Sequence, residues 1–145
     1  MGDLNNCHKA FLIAKKQSVD INKKGILIMN LKHGSLESVI LNSLWELEKC
    51  GIYKNSVKDV FEYINRTNST KRAYTTIKTV MDRLYEKEIL LRIKQGKKFY
   101  YRTAYSSNDI ITTSLKKIAT QYCGGDMSKL ATIAANISQM PQVKV

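Results

Sequence analysis

The sequence predicts a mostly α-helical chain interrupted by one small β-hairpin. Three observations carry that expectation. Apolar residues recur at helical spacing in five separate windows, one stretch near the middle switches to alternation around a turn, and the positive charge is concentrated beside that switch. The chain has 145 residues, a hydrophobic fraction of 43% and a net charge of +12. That hydrophobic content suffices for a packed core, and a charge of that size favours a polyanionic partner, nucleic acid first and an anionic membrane surface second. From Arg66 to Arg102, eleven Lys or Arg stand against Asp82, Glu86 and Glu88, so +8 of the +12 falls in about a quarter of the chain.

Residues 1–33 show no sustained periodicity, and residues 1–34 hold six lysines against Asp3 and Asp20. They read as a basic, partly ordered extension, with "GILIMNL" (Gly25 to Leu31) packing onto the domain that follows. The first helix is "SLESVILNSLWELEKC". Ser35 is its N-cap, Glu37 favours the positive end of the helix, and Leu36, Val39, Ile40, Leu44 and Leu47 form one apolar stripe. Trp45 lies off that stripe and is expected to cover a seam, and Gly51 is the C-terminal stop. A short second helix opens with the capping box Ser56–Asp59 and buries Val57, Val60, Phe61 and Ile64. "RTNSTKR" breaks the pattern. In the third helix Ala73, Ile77, Val80, Met81 and Leu84 share a face, while Thr75, Thr79, Asp82 and Glu86 lie opposite, with Thr76 and Lys78 beside them.

"ILLRIKQGKKFYYRT" then reads as two strands around the turn "QGK". Leu91 and Ile93 with Phe99 and Tyr101 are expected on a buried face, and the charged residues on the other. Beyond Tyr105, Ser107 or Asn108 can cap a helix in which Ile111, Leu115, Ile118 and Tyr122 line one side. "CGGD" ends it, Asp126 caps the last helix, and Leu130, Ile133, Ala134 and Ile137 form a second stripe before Pro141 closes the ordered chain. Those two stripes have no remaining core to cover, which points to a partner chain and so to dimerisation, with folding back onto their own domain as the alternative.

Three helices followed by a hairpin describe a winged helix-turn-helix, here followed by C-terminal dimerisation helices. The expected domains are a basic extension (1–33), a DNA-binding domain (34–105) and a helical dimerisation region (106–145). A recognition helix meets base edges with its N-terminal residues, which here are Thr75, Thr76, Lys78 and Thr79. Lys71 and Arg72 immediately before the helix, and Lys94, Lys97 and Lys98 around the hairpin turn, are placed for phosphate. The acids Asp82 and Glu86 fall where the helix leaves the groove.

The stretches "AYTTIKTVMDRLYEKEIL" and "YCGGDMSKL" together resemble the penicillinase and methicillin-resistance repressor (BlaI/MecI/CopY) family, whose members share a "TTV.T...RL..KG.L" helix, an aromatic wing strand like "KKFYYRTAYS" and a "YGGD...L" break. "SLESVILNSLWELEK" is similar to the family's "E..VM..LW". The resemblance covers Gly34 to Ile137. It implies a homodimeric transcriptional repressor that binds operator DNA, with DNA-contacting positions at Thr75, Thr76, Lys78 and Thr79 and dimer helices from Ile110 to Ile137. It also implies departures. The family's further C-terminal helix has no counterpart after Pro141. Cys123 alone does not replace the cysteine cluster of the copper-sensing branch. A sensor protease, the partner of the lactam-sensing branch, cuts at an Asn-Phe bond, whereas the aligned place here reads "LATIAANIS".

The expected function is therefore sequence-specific repression by a homodimer on a palindromic double-stranded operator. The alternative is a winged-helix adaptor that docks on proteins without reading DNA. No catalytic residue, cofactor or metal is expected. His8 and His33 lack partner spacing, no phosphate-binding glycine loop exists, and Cys7, Cys50 and Cys123 fit neither a disulfide framework nor a zinc site. No apolar run approaches the ~20 residues that span a bilayer, and the protein is expected in the cytoplasm.

Overall fold

A computed structural model describes residues 36–140. The basic extension, "GILIMNL", the Ser35 cap, Cys7, both histidines and Pro141 lie outside the described residues. Helix α1 spans Leu36–Lys49, α2 Val57–Thr67 and α3 Tyr74–Glu86. Strands β1 (Leu90–Gln95) and β2 (Lys98–Thr103) follow, then α4 (Ser107–Tyr122) and α5 (Met127–Gln139). The chain divides after Ser107 into two compact units.

In the first unit α1, α2 and α3 pack on one another, and the hairpin closes the core through α3 against β1 and through α1 and α2 against β2. Ile40, Leu41 and Leu44 of α1 meet Val60 and Ile64 of α2, Ile77, Met81 and Leu84 of α3, and Ile89, Leu90 and Tyr101 of the hairpin, all nearly or wholly buried. The α1 stripe is rotated from the expected one. Leu41 is in the core, while Leu36, Val39 and Leu47 are only half-buried. Glu37, expected to act on the helix dipole, is instead 3% exposed and accepts from Lys87 Nζ at 2.8 Å, which ties α1 to the end of α3.

The helix ends follow their local chemistry. Gly51 adopts φ +83, and the amides of Gly51 and Ile52 return to the carbonyls of Glu48 and Leu47; that pair of bonds needs a left-handed residue just past the helix. The same two bonds close α3, from Glu88 N to Tyr85 O and from Ile89 N to Leu84 O. There the left-handed residue is Glu88, at φ 60. A side chain in this conformation costs about 1–2 kcal/mol, and burial of Ile89 against the core holds it. At the start of α2 the Ser56–Asp59 capping box forms as expected, with Asp59 N donating to Ser56 Oγ at 3.2 Å and Ser56 N to Asp59 Oδ2 at 2.8 Å. Ala73, expected on the apolar face of the third helix, stands outside it as an exposed N-cap.

The hairpin register corrects the expected faces. Arg92 pairs with Tyr101 and Lys94 with Phe99, while Leu91 pairs with Arg102 and Ile93 with Tyr100. Directly opposed residues share a face. Phe99 and Tyr101 therefore lie with Arg92 and Lys94, and Leu91 and Ile93 with Tyr100 and Arg102. Neither face is simply apolar or basic, because the turn Gly96–Lys97 sets a two-residue loop that pairs apolar residues of one strand with cations of the other. The linker after α1 adds one further bridge to the sheet: Tyr101 N donates to Asn55 O at 2.7 Å.

The second unit consists of α4 and α5. The left-handed pair Gly124 and Gly125 separates them, and Asp126 Oδ1 caps α5 by accepting from Ser128 N at 2.9 Å and Lys129 N at 3.3 Å. Ala119 is the buried residue of α4, and α5 has none. No helix among the described residues is long and apolar enough to cross a membrane.

Candidate nucleic-acid interface

The turn into α3 is built by Asn65. Its side-chain Oδ1 accepts from Arg72 N at 2.8 Å and its Nδ2 donates to Arg72 O at 2.9 Å, while its backbone carbonyl accepts from Lys71 Nζ. One amide thus clamps both backbone groups of Arg72 and fixes where α3 begins. Asn68 closes α2 by donating from its backbone and side chain to Ile64 O. No side chain caps Ala73, so the leading amides of α3 keep their capacity to meet an anionic oxygen.

On α3, Ile77, Val80, Met81 and Leu84 face the core, and Thr75, Thr76, Lys78 and Thr79 are all exposed. Thr79 Oγ1 donates to Thr75 O at 2.8 Å, which leaves its oxygen lone pairs free to accept. Lys71, Arg72, Lys94, Lys97 and Lys98 are exposed as well. A groove of about 570 Å³ runs between α3 and the wing, and Lys78, Lys97 and Lys98 line it together with Tyr74, Tyr85 and Phe99. Lysines far apart in the sequence thus line one concavity, which Asp82 and Glu86 of α3 line as well.

The sequence did not show how the wing is held. Arg92 sits with its guanidinium 3.9 Å from the centre of the Tyr85 ring and 4.3 Å from that of Phe99. The stack joins the outer end of α3 to β1 and β2, and a guanidinium between ring faces is attracted by their quadrupoles. Lys54 over Tyr100 (4.4 Å) and Arg102 over Tyr53 (4.7 Å) repeat the motif on the other face. Glu48 bonds both Thr103 N (2.9 Å) and Thr103 Oγ1 (2.7 Å), fastening β2 to α1, and Trp45 Nε1 donates to Tyr105 O at 3.0 Å across the seam it was expected to cover.

Asp82 has a larger part than a helix end leaving a groove. It pairs with Lys78 Nζ at 2.7 Å, accepts from Tyr101 Oη at 3.1 Å and lies 3.7 Å from Arg92 Nη1. The hydrogen bond to Asp82 and its charge raise the Lys78 pKa above the usual lysine value. Burial is the main cause that raises the Tyr101 phenol.

The residues expected to dimerise are turned outward. Ile111, Leu115, Ile118, Tyr122, Ile133, Ala134 and Ile137 are exposed, and Leu130 is half-buried. Tyr122 is 77% and Ile137 60% exposed. Among the described residues no group of three or more His, Cys, Asp or Glu is gathered for a metal.

The helix trio, the clamped turn and the hairpin define a winged-helix protein whose third helix offers polar leading turns to solvent. The penicillinase repressor family model matches residues 33–143, and the chain belongs to that family. A penicillinase repressor of Staphylococcus aureus is 36% identical over 55 residues, which cover 38% of this chain and 44% of that relative. The match therefore spans less than half of the curated relative's length.

Proposed function

We propose that the protein is a sequence-specific transcriptional repressor that binds a palindromic DNA operator as a homodimer, with α3 in the major groove and the wing on the sugar-phosphate backbone. The observation that carries this reading is the shared groove. Lys78 of α3 and Lys97 and Lys98 of the wing line one concavity, beside exposed Thr75, Thr76 and Thr79 at the leading end of the helix. Threonine hydroxyls suit phosphate or base edges, and their methyls suit thymine. Lysine suits guanine or phosphate. Lys71 and Arg72 extend the phosphate contacts along the turn, and Lys94 extends them along the wing. Membership of the penicillinase repressor family supports the same reading.

Dimerisation rests on α4 and α5, whose outward apolar side chains are the kind of surface a second chain covers. Nothing supports a sensor protease as a partner. The helices beyond Ser107 contain no Asn-Phe pair. Selection from a random DNA pool tests the proposal. A palindromic consensus, with half-sites about one helical turn or a multiple apart, is the expected result. Fragments with no common sequence would leave the adaptor reading in its place.

A further inference from the structure

The Lys78 ammonium beside the groove is already paired with Asp82. The pair is close at 2.7 Å and stands between two partly accessible side chains, 55% exposed for Lys78 and 32% for Asp82. Asp82 has further partners: Tyr101 Oη also bonds it at 3.1 Å and Arg92 approaches it at 3.7 Å. Tyr101 is 1% exposed, and Arg92 is fixed between Tyr85 and Phe99. A carboxylate held by several partners in the groove between α3 and the wing occupies the ammonium with the same unit negative charge that a phosphodiester would offer.

We infer that Asp82 is a built-in competitor for Lys78, a phosphate substitute that attenuates the affinity of α3 for any duplex. The inference rests on the DNA-binding reading of the same groove. A cation that enters the DNA counterion atmosphere releases about one ion per phosphate neutralised. In the complexes where Lys78 stays on Asp82 its ammonium displaces no counterion from DNA, so the net release falls. Exposed pairs of this kind are weak, which suits attenuation rather than a block.

The test is Asp82→Asn, in which the amide oxygen still accepts from Tyr101 and the wing keeps its support. Titrations of the full chain with an unrelated duplex, across a range of salt concentrations, compare wild type with Asp82→Asn, Glu86→Gln and the same Asp82 change in a Lys78→Ala background. Glu86→Gln removes an equal charge from the same helix without touching Lys78. The expected result is a roughly two- to fivefold rise in affinity for Asp82→Asn and a salt slope steeper by about 0.9. Both effects should be lost in the Lys78→Ala background and much smaller in Glu86→Gln. An equal gain from Glu86→Gln, or a gain that survives Lys78→Ala, would show a general field effect and overturn the inference. In the wild type, the Asp82 carboxyl ¹³C resonance should shift when duplex is added, and no shift counts against the exchange. A wild type that binds no DNA at low salt would overturn the DNA reading itself, whereas normal binding with an unchanged Asp82→Asn slope overturns only the role of Asp82.

Discussion

The two units of the chain solve the burial problem in opposite ways. Up to Ser107, three short helices and a hairpin enclose a common core in which Ile40, Leu44, Val60, Ile77, Met81 and Leu84 are fully buried. Beyond it, α4 and α5 carry apolar stripes of similar quality and leave them outward, with Ile111 53% and Ile133 43% exposed. Amphipathic periodicity is the same signal in both regions, but it reports only that a face wants cover. In the first region the neighbouring elements of the same fold supply the cover. In the second a partner chain is the proposed cover.

That contrast breaks most sharply in the core. Leu84→Ala should cost about 2–5 kcal/mol of stability, read as a lowered denaturant midpoint, because Leu84 is 0% exposed and its neighbours come from several elements. Ile118→Asp is the matching change on the outward stripe. It should leave the unfolding of the first unit unaltered and weaken self-association by at least about tenfold, roughly 1.4 kcal/mol, measured by sedimentation at micromolar concentration. Unaltered association would remove α4 from the interface.

Within the first unit, Lys78→Ala should weaken binding to a selected operator by about 1 kcal/mol, the lower end of the range for a groove contact, because the pairing with Asp82 offsets part of what Lys78 gains there. A mobility-shift titration reads the loss. Ser56→Ala, which removes half of the capping box, should lower stability by about 1 kcal/mol with no change in oligomeric state. The smallest effect is alkaline. Tyr101 and Lys78 both hold their protons more tightly in the folded chain than at their ordinary values of 10.0 and 10.5. Stability from either group is therefore fully present below those values and lost as pH rises through the raised ones. Between pH 9 and pH 12 the melting temperature should fall less in Tyr101→Phe than in the wild type.

Much of the fold was legible because its signals are local. The Ser56–Asp59 box, the Gly51 stop, the QGK turn and the Asp126 cap each depend on residues within a few positions of one another. The exposed set on α3 followed from helical periodicity alone. Other features depend on register and distance. Phe99 and Tyr101 were expected beside Leu91 and Ile93, yet the loop length sets them beside Arg92 and Lys94; both assignments alternate equally well along each strand. Asn65 reaches Arg72 seven residues on, and Glu48 reaches Thr103 across the fold, spacings that no helix or strand period encodes. Glu88 occupies a left-handed position that, in the quoted family pattern, falls to glycine, so the residue itself gave no local signal for the end of α3. Asp82 looked like the tail of a polar face because charge patterning along one helix does not reveal a tyrosine and an arginine arriving from the wing.

The most direct measurement of the central claim pits a selected operator against a scrambled duplex for the wild type and for a variant carrying Thr75→Ala, Thr76→Ala, Lys78→Ala and Thr79→Ala together. These positions are exposed, so the variant should fold and keep salt-sensitive binding through Lys71, Arg72 and the wing lysines. The expected result is loss of the preference for the operator with weak, sequence-blind binding retained. An undiminished preference would place sequence recognition elsewhere in the chain and contradict the role given to α3.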